Sequence, residues 1–235
     1  MNFKKIIAIA FIVTVAFASF GCGNNEKKSS GSSNAADLLI TPQTPQQKEE
    51  AKGALAKAQS YYNTGKYSEA VDFYTKAINA KERSVSIYVN RGLAYQALGD
   101  YASALADYTT AIEIGKRNIK QNEKDSTDQF DMILAYTCRG DIYRQQRDLV
   151  NAIENYTKAI ELSGDQTGCY MFNNRGLCYE DQGDIAKAVA DYSKAIESDP
   201  KYAIAYKNRS RAHRKLGNEA QAEADLAKAQ ELEAK

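Results

Sequence analysis

Histidine, proline and tryptophan are scarce in this sequence, which has one histidine, three prolines and no tryptophan in 235 residues. Zinc-ligand spacings, phosphate-binding loops and nucleophile motifs are also missing. The single histidine, His213, stands where similar segments of the chain carry tyrosine, which favours a packing role. We therefore predict that the protein is not an enzyme and uses no metal and no cofactor. An enzyme would need clustered ionisable groups, and the sequence shows no such cluster.

An excess of charge of either sign is missing as well. Lysine and arginine number 31, aspartate and glutamate number 30, and the net charge is +1. A nucleic-acid-binding protein usually carries a clear basic excess, so we predict no nucleic-acid partner. The hydrophobic content of 43% suits a soluble folded protein.

Long apolar runs are limited to Ile6–Phe20, which is too short for a comfortable bilayer span of roughly 20 residues. Lysines precede this run and Cys22 follows it closely. The segment 1–21 resembles the signal peptide of bacterial lipoproteins, in which Cys22 would carry the lipid and become the mature N-terminus. The resemblance implies a lipid anchor that holds the protein on a membrane of the bacterial cell envelope, at a periplasmic or outer surface. The alternative is an ordinary secretory signal, with Cys22 incidental.

Residues 22–43 are predicted to be a flexible linker. Their first half, GNNEKKSSGSSN after Cys22, is polar and rich in glycine and serine, with little to bury. Thr44 and the following Pro45 are typical of a helix start, because threonine caps a helix and proline suits its first turn. The folded domain is therefore predicted to span residues 44–235.

Five alanines in a shared context mark an internal repeat. Their spacings are 34, 48, 36 and 34 residues, so one interval carries an insertion of 14. A small residue lies twelve positions before each alanine, and a large residue lies four positions after it. The alanines are Ala70, Ala104, Ala152, Ala188 and Ala222; the small residues are Ala58, Gly92, Gly140, Gly176 and Ser210; the large residues are Tyr74, Tyr108, Tyr156, Tyr192 and Leu226.

Each copy of the repeat is predicted to be a pair of helices. Small residues let two helices cross closely, and aromatic side chains fill the space beside the crossing. A turn falls between the two helices, and glycine in it suits the left-handed end of the first helix. The turns contain Gly65, Gly99, Arg147, Gly183 and Gly217.

This order of small and aromatic residues over 34 positions resembles the tetratricopeptide repeat (TPR). The resemblance covers Ala51 to the C-terminus and implies an all-α fold, a right-handed α-solenoid of about five helix hairpins. The repeats are placed near 51–84, 85–118, 133–166, 169–202 and 203–235. The usual tryptophan is replaced by Tyr88, Tyr136, Phe172 or Tyr206, and the usual closing proline appears only as Pro200.

The insertion, placed at 119–132, contains few helix breakers. Isoleucines continue the helix before it, and Phe130 and Ile133 lead into the helix after it. We predict that both helices run about two turns longer and form a hairpin that projects from one edge of the array. A disordered loop is the alternative. The last copy carries Glu219, Glu223 and Gln230 where earlier copies have apolar residues, as expected of a terminal repeat.

Arginine recurs just before the small residue in four repeats, and sixteen residues later comes aspartate or asparagine. This pairing predicts a hydrogen bond or ion pair that fixes one helix against another, within or between repeats. The arginines are Arg91, Arg139, Arg175 and Arg209, and the later residues are Asp107, Asn155, Asp191 and Asp225.

Three cysteines follow Cys22. Cys169 and Cys178 lie on one predicted helix, roughly 13 Å apart by helix rise, which is too far for a disulfide. Cys138 lies on a neighbouring helix and could reach one of them. We predict three small core residues and keep a disulfide as the alternative for an exported protein.

The TPR resemblance also implies a concave groove lined by the first helix of each repeat. The asparagine and lysine clamp with which chaperone-binding TPR proteins hold an acidic C-terminus is not present around Asn90 or Asn174. The final helix is basic, which would suit an acidic peptide or a terminal carboxylate. The candidate partner-binding residues are Tyr62, Leu93, Gln96, Asp141, Arg144, Tyr170, Asn173, Glu180, Lys207, Arg211 and Arg214.

These observations together predict a non-enzymatic scaffold, tethered to a bacterial envelope membrane, that binds a protein or peptide and assists complex assembly. The second hypothesis is an adaptor that binds a small ligand for a transport system. A sizeable closed pocket lined by tyrosines would favour the adaptor, and an open groove would favour the scaffold.

Overall fold

The computed structural model describes residues 43–80, 82–120, 126–164 and 168–234. These ranges contain ten α-helices and no strand, so the predicted all-α fold is confirmed. The predicted signal peptide and nearly all of the linker, residues 1–42, lie outside the described residues. The helices are α1 (Pro45–Asn63), α2 (Tyr67–Asn79), α3 (Val85–Ala97), α4 (Tyr101–Lys120), α5 (Ser126–Gln145), α6 (Leu149–Ser163), α7 (Cys169–Asp181), α8 (Ile185–Ser198), α9 (Ala203–Lys215) and α10 (Glu219–Glu233).

The helices stack as five consecutive hairpins. Each odd-numbered helix packs against the even-numbered helix that follows it, and that helix packs against the next hairpin. The odd-numbered helices also contact one another, α3 with α5, α5 with α7, and α7 with α9. We call this row of odd-numbered helices the inner layer, because it corresponds to the predicted groove. An array in which hairpins contact mainly their neighbours is an α-solenoid.

The close helix crossings occur at the predicted small residues. A Cβ atom added to Gly92 would lie 2.7 Å from the ring of Tyr108, and one added to Gly176 would lie 2.8 Å from the ring of Tyr192. A Cβ atom added to Gly140 would lie 3.0 Å from the ring of Tyr156. The tyrosine rings are almost fully buried. Each ring therefore fills the space that the missing side chain leaves, within one hairpin.

The turns inside the hairpins share one backbone conformation. Gly65, Gly99, Gly183 and Gly217 have φ between 75° and 85°. Arg147 occupies the equivalent place with φ 63°, in the left-handed region that favours glycine. The aspartate that follows the turn in repeats 2, 3 and 4 accepts a hydrogen bond from a backbone N–H in the first turn of the next helix, which caps that helix.

The inserted residues lengthen both flanking helices, as predicted. Helices α4 and α5 have 20 residues each, against 13 in α2 and α3. The lengthened parts are packed together, because Met132 lies against Gly115 and Asn118 donates to Asp128 at 2.6 Å. Gln129 also donates to the Leu162 carbonyl at 2.7 Å, which braces α5 against the end of α6. The link itself, residues 121–125, lies outside the described residues.

The C-terminal hairpin presents a polar outer face. Glu219, Glu223 and Gln230 of α10 are exposed, as the sequence predicts for the last repeat. Cys138, Cys169 and Cys178 are free thiols, and two of them are buried, which agrees with the predicted core role. None of the helices in the described residues has both the length and the apolar character needed to cross a bilayer.

Candidate functional site

An arginine in each of repeats 2 to 5 ties three helices together. Arg91, Arg175 and Arg209 each form a bidentate pair with the aspartate sixteen residues later, at 2.7–2.8 Å. Arg139 donates to Asn155 at 2.7 Å. Each guanidinium also donates to a hydroxyl on the even-numbered helix of the preceding repeat, at 2.9–3.0 Å. The hydroxyls belong to Thr75, Thr109, Thr157 and Ser193.

The predicted arginine pairing is therefore confirmed, and it acts both within and between repeats. In the first repeat Lys57 and Phe73 occupy the corresponding positions, and the Lys57 ammonium lies 5.5 Å from the ring centroid of Phe73. This row of contacts positions the helices that carry the inner layer. Because these arginines are engaged in contacts between helices, other polar residues line the candidate site.

The centre of the inner layer is a hydrogen-bond cluster around Asp141 of α5. The carboxylate accepts hydrogen bonds from the Tyr156 hydroxyl at 2.6 Å, the Tyr170 hydroxyl at 3.0 Å and the Asn174 amide at 3.1 Å. Burial raises the pKa of Asp141 above its usual range, although these hydrogen bonds and nearby Arg144 oppose the rise. The cluster joins α5 to α6 and α7.

Two asparagines connect the cluster to the next helix of the inner layer. The Asn208 amide of α9 donates to the Asn173 carbonyl oxygen of α7 at 2.8 Å. Asn173 in turn donates to its neighbour Asn174 at 3.3 Å. All three side chains are buried, so this contact joins helices of the inner layer directly.

The C-terminal end of the inner layer is organised by Glu180 of α7. Arg211 binds its carboxylate with two hydrogen bonds of 2.8 Å, and Lys215 forms a salt bridge of 2.8 Å. The Tyr192 hydroxyl donates to it at 2.7 Å. Burial alone would raise the pKa of Glu180, but these contacts outweigh burial and lower it to about 2. The predicted basic end is thus partly neutralised, and Lys207 is likewise paired with Glu233.

The N-terminal end of the inner layer is more aromatic. Tyr62 is half-buried and packs edge-on against Tyr67, with ring centroids 5.4 Å apart. The hydroxyl of Tyr74 is buried and has no hydrogen-bond partner within the described ranges. Burial raises the pKa of Tyr74 to about 12. In the next repeat the Tyr108 hydroxyl donates to Gln96 at 2.8 Å.

Arg144 breaks a pattern that the other repeats share. The buried tyrosine of repeats 2 and 4 donates to the residue twelve positions before it, which is Gln96 or Glu180. In repeat 3 that position is Arg144, which is not an acceptor, and Tyr156 donates to Asp141 instead. The Nε atom of Arg144 is buried without a hydrogen-bond partner among the described residues.

The predicted site residues thus fall into two groups. Those that the structure brings into buried hydrogen-bond clusters are Gln96, Asp141, Asn173 and Glu180. Those that keep partial or full exposure are Tyr62, Leu93, Arg144, Tyr170, Lys207, Arg211 and Arg214. All eleven lie on the inner layer's helices, and their contact with a partner stays a prediction.

Sequence reasoning missed the tyrosine hydroxyls and Asn174 as members of these clusters. The sequence pattern predicts Tyr108, Tyr156 and Tyr192 only as bulk that fills helix crossings. The spacing carries the signal, because in two of the repeats a polar residue twelve positions before the buried tyrosine accepts a hydrogen bond from the tyrosine hydroxyl.

Models of the tetratricopeptide repeat match most of this array. One model described as "Tetratricopeptide repeat" matches residues 85–118 and 170–202. A second model with the same description matches residues 134–166 and 203–235. A third, described as "TPR repeat", matches residues 58–99. The chain therefore belongs to the tetratricopeptide repeat family, whose fold is in general a protein-interaction scaffold and not a catalytic one.

Individual relatives are similar over parts of the chain. "Translocon at the outer membrane of chloroplasts 64" of Pisum sativum is 39% identical over 64 residues, 27% of this chain and 11% of that protein. Among solved structures, MamA superposes with a TM-score of 0.65 at 20% identity, covering 80% of this chain and 93% of that one. YrrB, titled as a TPR protein with an unusual peptide-binding site, has a TM-score of 0.60 at 20% identity, covering 79% of this chain and 87% of that chain. At these identities the two structures show the fold alone.

Proposed function

We propose that this chain is a non-enzymatic scaffold that binds a protein or peptide partner on its inner layer. The observation that carries the proposal is the row of odd-numbered helices, which are in mutual contact along α3, α5, α7 and α9. Half-buried apolar side chains such as Leu93, Tyr62 and Tyr170 lie on this row beside polar ones. A rigid face of this kind offers apolar anchors and hydrogen-bonding groups to an extended or helical peptide. Membership of the TPR family supports the same conclusion.

We further propose that the scaffold is held on a membrane of the bacterial cell envelope by a lipid on Cys22, and that it assists the assembly of a complex there. The support is in the sequence, where lysines, a short apolar run and Cys22 follow one another within residues 1–22. The polar residues after Cys22 would give the array room to reach its partner from the membrane surface.

Site-specific photo-crosslinking in the native host tests both parts. A photoreactive amino acid replaces Leu93 on the inner layer, and a matched variant carries it at Glu154, an exposed position on α6. We expect a protein adduct from position 93 that is weak or missing from position 154, and we expect it to diminish in a Cys22→Ser background. An adduct of equal strength at both positions would contradict binding on the inner layer.

The two parts of the proposal are separable in this experiment. An adduct at position 93 that is unchanged by Cys22→Ser would remove the tether from the proposal and leave the scaffold. If neither position yields a protein adduct, the small-ligand adaptor becomes the better hypothesis.

A further inference from the structure

Arg144 of α5 is a cation in the inner layer without a matching anion. Its Nε atom is buried and makes no hydrogen bond, and no salt bridge joins its guanidinium to a carboxylate in the described part of the chain. The side chain keeps partial exposure. A buried donor that is left without a partner destabilises the fold, so such groups in folded proteins call for an explanation.

The nearest carboxylate does not supply that partner. Asp141 is one turn away on the same helix, but its two oxygens already accept three hydrogen bonds, from Tyr156, Tyr170 and Asn174. All three donors are neutral, so the charge of Asp141 supports the charge of Arg144 through space. The guanidinium shares a hydrogen bond with the Tyr156 hydroxyl, and its Nε–H stays without a partner among the described residues.

The cations of the last inner helix differ from Arg144 in this respect. Arg211 and Lys215 share the carboxylate of Glu180, and Lys207 is paired with Glu233. Arg214 is exposed to solvent. The sequence predicts an anion site at this basic end, whereas the cation with a buried and unpartnered N–H, among the described residues, lies two repeats earlier, on α5.

The surroundings of Arg144 select the kind of anion. The carboxylate of Asp141 repels a dianion such as phosphate more strongly than a group with a single negative charge. A carboxylate carries one charge and is planar, and it matches the fork of the guanidinium with two parallel hydrogen bonds. Tyr170 of the adjoining helix α7 donates to the same carboxylate and interacts electrostatically with Arg144, so it belongs to the surroundings of the cation.

We propose that Arg144 is the anion-binding residue of the inner layer, and that it takes a single carboxylate, of an aspartate, a glutamate or a C-terminus, from a bound peptide. This inference rests on the proposed function, because it names the ligand chemistry at the surface where the scaffold binds its partner.

Selection from two pairs of synthetic peptide pools tests the proposal on the purified full chain. The first pair holds short random peptides of equal length, with glutamate fixed at the central position in one pool and glutamine there in the other. The second pair holds random sequences, with a free C-terminal carboxylate in one pool and an amide in the other. We expect the unaltered chain to enrich a carboxylate pool over its amide counterpart by at least about tenfold, the value of one charge-assisted bidentate contact.

The decisive variants are Arg144→Gln and its matched control Lys52→Gln, which removes the same charge at an exposed position of α1. We expect Arg144→Gln to enrich both members of each pair equally, and Lys52→Gln to keep the preference. Equal loss in both variants would mean general electrostatic attraction and would overturn the proposal. Thermal unfolding of each variant checks its fold, and Arg144→Lys, expected to keep a reduced preference, replaces the glutamine variant if that one unfolds.

The result also separates this inference from the proposed function. If the unaltered chain enriches carboxylate and amide peptides equally, peptide binding stands and the role of Arg144 is wrong. If it enriches no peptide from any pool, both proposals fall.

Discussion

Gly176 shows how one missing side chain sets the distance between two helices. An added Cβ would lie 2.8 Å from the Tyr192 ring and 3.3 Å from the carbonyl oxygen of Ala188, so the crossing has no room for it. We expect Gly176→Leu to lower the free energy of unfolding by about 1–3 kcal/mol or more, because overpacking forces the helices apart. Urea or thermal unfolding followed by circular dichroism measures this change.

The matched control for this substitution is Gly53→Leu. Gly53 lies in the middle of α1, and no atom lies within 4 Å of its would-be Cβ. Leucine there is expected to stabilise slightly, by up to about 1 kcal/mol, because glycine is a poor helix former. Unchanged stability of Gly176→Leu would show that the assigned register of the repeat is wrong.

Arg147 has the left-handed backbone conformation that glycine adopts at the same turn in the other four hairpins. Its φ of 63° places a side chain in the left-handed region, which costs roughly 1 kcal/mol relative to glycine. Its ion pair with Asp181 is largely exposed and contributes little. We expect Arg147→Gly to raise the free energy of unfolding by up to about 1 kcal/mol.

The reciprocal variant, Gly183→Arg, makes the same change in the opposite direction at the next turn, where φ is 85°. We expect it to lose about 1 kcal/mol in the same unfolding assay. A loss of stability in Arg147→Gly comparable to that of Gly183→Arg would mean that the Asp181 contact outweighs the backbone strain.

At the scale of helices, the arginine pairs decide how hairpins are joined. The Arg175 and Asp191 side chains are 16% and 8% exposed, so removing one of them leaves a largely buried charge unpaired. We expect Arg175→Met to lower the free energy of unfolding by about 3 kcal/mol. Combining it with Asp191→Leu should recover part of that loss, because no charge is then left without a partner.

A surface ion pair provides the comparison. Lys158 and Glu161 of α6 are 48% and 56% exposed, and Lys158→Met is expected to leave the free energy of unfolding nearly unchanged. Equal effects of the Arg175 and Lys158 variants in chemical unfolding would contradict a structural role for the arginine contacts.

Glu180 makes the contact between α7 and α9 sensitive to acid. Its pKa is lowered from 4.5 to about 2. The Glu180 carboxylate therefore stays charged in the folded protein at pH values at which it becomes protonated in the unfolded chain. The stabilisation is therefore complete above pH 4.5 and is lost as the pH falls through about 2. We expect it to amount to about 2 kcal/mol, since Arg211 and Lys215 are half exposed to solvent.

The difference between the unaltered chain and Glu180→Gln measures this contribution, because other acidic groups titrate equally in both. We expect the difference in free energy of unfolding to shrink steadily from neutral pH toward about 2. A difference that stays constant over this window would show that the contacts of Glu180 do not depend on its charge.

The local parts of this fold were predictable, and the cross-repeat contacts were not. Helix ends, the crossing of Gly92 and Tyr108, and the Arg91 pair follow from spacings that recur in the sequence. The donors that Tyr170 and Asn174 supply to Asp141, and the acceptor of Arg211, come from helices of neighbouring repeats. The three-dimensional stack decides which of several polar residues is near. The basic final helix was therefore predicted as open charge, whereas the structure pairs Arg211 with Glu180.

At the scale of the whole molecule, the array is asymmetric. Repeats 2 to 5 are each joined to the preceding repeat by an arginine, and the first repeat has Lys57 over Phe73 at the corresponding place. Because hairpins contact mainly their neighbours, an array of this kind opens from an end. We expect amides of α1 and α2 to exchange with solvent deuterium before those of α7 and α8, as measured by mass spectrometry of peptic fragments. Simultaneous exchange of all helices would contradict this order.

The arginine contacts have a further consequence for how the chain can be rearranged. The bond between Arg139 and Thr109 spans the lengthened hairpin, 30 residues apart, yet its length of 3.0 Å equals that of the Arg91 and Thr75 bond, 16 residues apart. The hydrogen bond from arginine to hydroxyl is thus a connector that joins each of repeats 2 to 5 to the repeat before it, whatever the number of residues between the two side chains. Repeats 2 to 4 carry both the arginine and the hydroxyl, so duplicating, removing or reordering them would keep this connector. Only the contacts specific to one boundary, those of Asp141, Asn173 and Glu180, would need a new design.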